Sequence, residues 1–193
     1  MAVESRNVEG NARLTGLAAV VLLVLLAAEG VTVLRIGRLL SPHIFIGILL
    51  VPLVVLKLGS TGYRFVRYYT GDPDYRRAGP PSPLLRLVGP VVVLSTVVLF
   101  ASGIELWLFG ARFGLLWVTA HKLGFVVWFC AMTVHVLGHL ERAPRLAVRD
   151  LRPASRLRGA VSRRSALGAA LLLGVVLALA SLPYQMPGIV TSG

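Results

Sequence analysis

Five apolar runs constrain this chain more than any other feature: Leu14–Leu34, His43–Val66, Leu85–Phe109, Leu115–Leu140 and Ala166–Leu182. Each approaches or exceeds the roughly 20 residues that carry an α-helix across a bilayer core. A backbone in hydrocarbon must satisfy its own hydrogen bonds, and a helix does so within one segment. The expected fold is an all-α integral membrane protein with five transmembrane helices, the first four forming a four-helix bundle. Charged residues make up only 15% of the chain and the mean hydropathy is +0.79, a balance foreign to soluble domains.

The net charge of +12 raises the question of nucleic acid, and the placement of the arginines answers it. Fifteen of them lie on the side of the N-terminus, the second loop and the segment after the fourth run. The other side has Arg35, Arg38 and Arg112. This is the positive-inside pattern, not a nucleic-acid stripe. It predicts a cytoplasmic N-terminus, an external C-terminus, and second and fourth runs that both descend from outside to inside. The chain then divides into a polar, disordered tail (1–13), a four-helix core (14–140), a basic cytoplasmic segment (141–165), and a fifth helix with a short external tail (166–193).

Run one is read as an anchor, because its apolar stretch is longer than a signal peptide's and basic residues follow it. Run five has no ionisable residue and is expected to pack peripherally. The arginine-rich Arg142–Arg164 segment suits the inner leaflet's anionic lipid or a partner's docking surface. Ser41-Pro42 has the residue types of a helix start, and Pro52 is expected to bend the second helix. The stretch Tyr68–Pro81 reads either as an ordered cap or as a Pro/Gly connector.

Ionisable groups inside apolar spans are costly and mark functional candidates. His121 and His135 lie 14 residues apart in run four, nearly four helical turns, so both leave one face about 21 Å apart. His43 and Lys57 repeat that spacing in run two. Two parallel helices therefore present His43 with His121 at an outer level and Lys57 with His135 at an inner one. Haem iron takes axial ligands on opposite faces of a planar ring, and helical bundles supply them from facing helices. His43 and His121 fit one b-type haem, with Gly47, Gly103 and Gly124 allowing close approach of backbone. Cys130 is the sole cysteine, which leaves no disulfide and no attachment motif for covalent haem.

The segments SPHIFIG, YYTGDPDYRRAGPP, AHKLGFVVWF and HVLGHL, with Lys57, resemble small bacterial b-type cytochrome membrane proteins. These are related to the cytochrome b subunits of formate dehydrogenases and nickel–iron hydrogenases. The resemblance spans about His43–Leu140. It implies non-covalent haem b, electron transfer between the quinone pool and a separate redox subunit or carrier, and the bacterial inner membrane. In the formate dehydrogenase type, the fourth helix offers two histidines 14 apart, matching His121 and His135, and the second helix supplies the partner matching His43. The first helix supplies the remaining ligand there, whereas run one here has no histidine.

Three readings of the inner level stand side by side. Lys57 ligates a second iron opposite His135; His139 replaces or assists His135; or Lys57 and His135 form an ordinary buried contact, with Lys57 alternatively binding a propionate. Lys122 and Arg112 are candidates for propionates of the outer haem. Glu29 and Glu105 are candidates to accept quinol protons, against a simpler pairing with Arg35, Arg38 or Arg112. Two other functions use the same residues differently: a proton or ion transporter working through Glu29, Lys57, Glu105 and the histidines, and a haem-free structural or assembly subunit.

Overall fold

The computed structural model describes residues 6–80, 82–110, 112–151 and 159–184. These form helices α1 (Arg6–Leu34), α2 (Ile36–Tyr69), α3 (Pro73–Arg77), α4 (Pro83–Phe109), α5 (Leu115–His139), α6 (Arg142–Leu151) and α7 (Ala160–Ser181), with a 3-10 turn at Leu182–Tyr184. No strand occurs among the described residues. Five of the helices (α1, α2, α4, α5 and α7) are long and apolar enough to cross a membrane. The protein is an all-α membrane protein.

The five spans pack unevenly. Helix α2 lies between α1 and α7, α6 runs along α1, and α4 pairs with α5. Leu22, Leu50 and Leu53 form the core, with Ile46, Leu49, Phe100 and Leu171 against them. The fifth span is not peripheral, because its small residues let it approach α2 closely. Gly174, Ala178 and Ser181 are buried, and a Cβ on Gly174 would run into the Leu49 carbonyl. Without a hydrophobic drive between helices in lipid, such close contact is what holds them together. Gly174→Val is expected to lower stability by about 1–3 kcal/mol. Gly168→Ala, where the added methyl meets nothing within 4 Å, should leave the thermal unfolding midpoint in detergent unchanged or slightly raised.

Two further expectations need correction. Residues 6–13 are the first turns of α1 rather than a disordered tail: Val8 is buried, the Asn11 amide donates to the Ser60 carbonyl at 3.0 Å, and Arg13 pairs with Glu9 at 2.5 Å. Residues 1–5 lie outside the described residues. Helix α2 begins at Ile36, before Ser41-Pro42, and breaks its helical backbone at Leu39 (φ −116°, ψ 24°). Pro42 thus enters just past the break, where its missing N–H does least harm.

The basic segment is partly folded inward. A Cβ on Gly16 would lie 2.8 Å from Leu146, so α6 sits hard against α1. Asp150 is fully buried there. It accepts hydrogen bonds from Arg163 of α7, with Arg13 of α1 at 3.8 Å. Residues 152–158 of that segment lie outside the described residues.

The second loop is an ordered cap. Asp72 caps α3 by accepting from the backbone N–H groups of Asp74 (2.9 Å) and Tyr75 (3.2 Å), and it pairs with Arg67. The Tyr75 N–H foremost, then that of Asp74 and the Arg67 guanidinium, hold its carboxyl below the usual carboxylate range. Tyr75 is buried edge-on against Tyr63, with ring centres 5.9 Å apart, and Arg64 donates to the Gly79 carbonyl at 3.1 Å.

Candidate functional site

The His43 imidazole is fixed by the end of α1. Its Nδ1 lies 2.9 Å from Glu29 Oε1 and 3.0 Å from Thr32 Oγ1. The Thr32 hydroxyl donates to the Glu29 backbone carbonyl at 2.6 Å. A carboxylate only accepts, so the proton of a neutral His43 sits on Nδ1. Gly47 lies against this carboxylate, and a Cβ there would make an ordinary contact of 3.6 Å with Glu29 Oε1.

The His121 ring is fixed by α4 in the same sense. Its Nδ1 lies 3.1 Å from both the Leu99 carbonyl and Ser102 Oγ. The Ser102 hydroxyl, fully buried, donates to the Val98 carbonyl at 2.6 Å and therefore accepts from the ring. A carbonyl only accepts, so Nδ1 is again the protonated nitrogen. Gly103 makes space for the ring: a Cβ there would stand 3.1 Å from His121 Cε1.

The two rings meet. Their centres are 6.2 Å apart and their planes stand at 87°. Both Nδ1–H groups point back into their own helix pairs, which leaves each Nε2 lone pair as the donor on the far side of its ring. Orientation by an outer hydrogen bond on the second ring nitrogen is how proteins prepare histidine ligands. With about 2 Å per metal–nitrogen bond and roughly 1 Å from nitrogen to ring centre, two imidazoles opposed on one metal have centres about 6 Å apart. The 6.2 Å between ring centres matches that distance, so His43 and His121 are the residues that would hold a metal here.

Helix α5 packs closely on α4 and stands away from α1 and α2. The buried Trp128 ties α5 to α4 through its indole N–H, which donates to Thr96 at 3.0 Å. Gly103 makes room for the His121 ring, and Gly124 packs against Val98 of α4.

The inner level is not a second copy of this pair. Lys57 donates to the Thr15 carbonyl of α1 at 3.2 Å, beside a Thr15–Ser60 hydroxyl contact of 2.9 Å, so its ammonium already has a structural partner. His135 instead has its ring centre 4.7 Å from that of His139, one turn along the same helix. That separation is shorter than two imidazoles on opposite sides of one metal would have, and His135 Nδ1 is buried with no hydrogen-bond partner among the described residues.

Lys122 is exposed and, as the next residue, is turned about 100° around the helix from His121. The structure does not bring it to the pair. Arg112 is exposed against the Phe113 ring. The simple pairing of Glu29 with an outer arginine is replaced by its contact with His43. Both carboxylate oxygens of Glu105 are buried without a partner among the described residues, three residues beyond Ser102 on α4.

Sequence reasoning found the two imidazoles and missed what aims them. Thr32, Leu99 and Ser102 carry no motif; the available signal was polar or carbonyl groups at the depth of each histidine on the neighbouring helix. No known protein family, curated protein or solved structure matches this chain.

Proposed function

We propose that this protein is a membrane b-type cytochrome, holding one haem between His43 and His121 and passing electrons between the quinone pool and a separate redox subunit or carrier. The observation that carries the reading is the imidazole pair, 6.2 Å between centres, with each Nδ1–H committed to an acceptor on a neighbouring helix. A haem bound there would supply the one-electron chemistry. The chain's own residues set position and charge. Glu29 and Thr32 hold His43, Ser102 and the Leu99 carbonyl hold His121, and the apolar helices exclude water. Glu105, with its free carboxylate oxygens one turn beyond Ser102, is the base available to take a quinol proton at that end. The arginine distribution supports the orientation with a cytoplasmic N-terminus, and the resemblance supports the bacterial inner membrane.

The experiment is a reduced-minus-oxidised spectrum of the purified full-length protein with a haem-to-polypeptide ratio. A b-type α-band and a ratio near one are expected. Protein made with sufficient haem yet lacking a Soret band sinks the proposal and leaves the transporter and assembly-subunit readings. His135 faces no second imidazole from another helix, so His135→Ala is expected to retain the spectrum. Loss of about half the haem in that variant would instead establish a second site.

A further inference from the structure

The α5–α6 corner holds a second site of different chemistry, independent of any haem. Helix α6 follows α5 after Leu140 and Glu141. Its Ala147 and Asp150 are buried, while Arg142, Arg145 and Arg149 are exposed. The spacing i, i+3, i+7 puts those three guanidinium groups on one face. Because α6 is held to α1 at Gly16 and Leu146, this face is fixed in place.

A groove of about 480 Å³ lies along it, lined by Gly138, Glu141, Arg142, Arg145, Leu146 and Arg149. Glu141 neutralises Arg145 at 2.8 Å. Arg142 and Arg149 have no acidic partner among the described residues, so the groove keeps an excess of two positive charges. Leu137 and Leu140, next in the chain to the groove residues Gly138 and Glu141, are exposed. Helix α5, 25 residues long, spans about 37 Å against a hydrocarbon core of about 30 Å, which brings its end and α6 to headgroup depth.

We propose that this groove binds the phosphodiester headgroup of an anionic phospholipid, with Arg142 and Arg149 on the phosphate and the acyl chains along Leu137 and Leu140. Planar guanidinium groups match phosphate oxygens with two parallel hydrogen bonds. Basic pockets at helix ends are suited to such headgroups. The apolar flank favours a lipid over a soluble anion.

The test is native mass spectrometry of the full chain from neutral detergent, titrated with phosphatidylglycerol, phosphatidylcholine or inorganic phosphate. Wild type is expected to retain phosphatidylglycerol over phosphatidylcholine. Its affinity should fall roughly tenfold or more in Arg142→Gln/Arg149→Gln and stay unchanged in Arg76→Gln/Arg77→Gln, an equal charge loss at the same end. An equal fall in both doubles assigns diffuse attraction and overturns the groove. Displacement of the lipid by inorganic phosphate assigns a free-anion site and overturns the lipid. Should the double variant misfold, the wild-type affinity must still weaken as salt screens the arginines; salt-independent binding overturns the proposal.

Discussion

His121→Ala is expected to reduce the haem spectrum of the purified protein to less than about a tenth of wild type, and His43→Ala to do the same. Both rings are held at fixed orientation before any ligand arrives, so neither can move to replace the other. The residues that aim them should show graded effects. Glu29→Gln or Ser102→Ala keeps the ligand and loosens its hold, which typically costs 10–100-fold in metal affinity. Folding is checked by helical circular dichroism and elution volume. Imidazole added to His121→Gly separates ligation from packing. Return of the α-band requires an open coordination position, and a purely structural histidine predicts no return.

Asp150→Ala is expected to be the most destabilising single substitution, lowering stability by about 3–5 kcal/mol. The carboxylate is fully buried and is the acidic partner of the buried Arg163. Arg164 also donates to the Asp150 backbone carbonyl, so three turns of chain converge at this residue. Removing the carboxylate leaves a guanidinium charge inside the protein without its counter-charge, which costs more than the pair itself is worth. Asp150→Ala/Arg163→Ala should therefore recover part of the loss, and a double-mutant cycle on thermal unfolding measures how much. Arg13→Ala should cost less, because Arg13 stands 3.8 Å from Asp150 and makes its closer contact, at 2.5 Å, with Glu9.

The depth of each residue was legible in the sequence, and lateral position was not. Counting residues from span ends placed His43 and His121 at one level, because helix rise is constant whatever the neighbours. Which helix stands beside which depends on small residues in an otherwise uniform apolar surface. Gly174 looks like any other glycine until Leu49 is placed over it. For the same reason Lys57 and His135 were read as facing partners when Lys57 turns to Thr15 of α1. The basic run after α5 hid its one structural acid, Asp150, among eight arginines that topology alone explains. Glu29 was visible as a carboxylate near a helix end. Its use on His43 required knowing that the α1–α2 turn returns the chain within 3 Å.

The separation of α4 and α5 from the other helices has a thermodynamic consequence. The chain is divided into a body of α1, α2, α6 and α7 and a hairpin of α4 and α5, joined mainly where α4 meets α2. His43 belongs to the body and His121 to the hairpin. A group ligated by both would cross-link the two pieces, and filling the site and docking the hairpin would become a single linked equilibrium. Cofactor supply would then govern more than colour. It would decide how long the hairpin stays docked, and so how much of the protein survives quality control in the membrane.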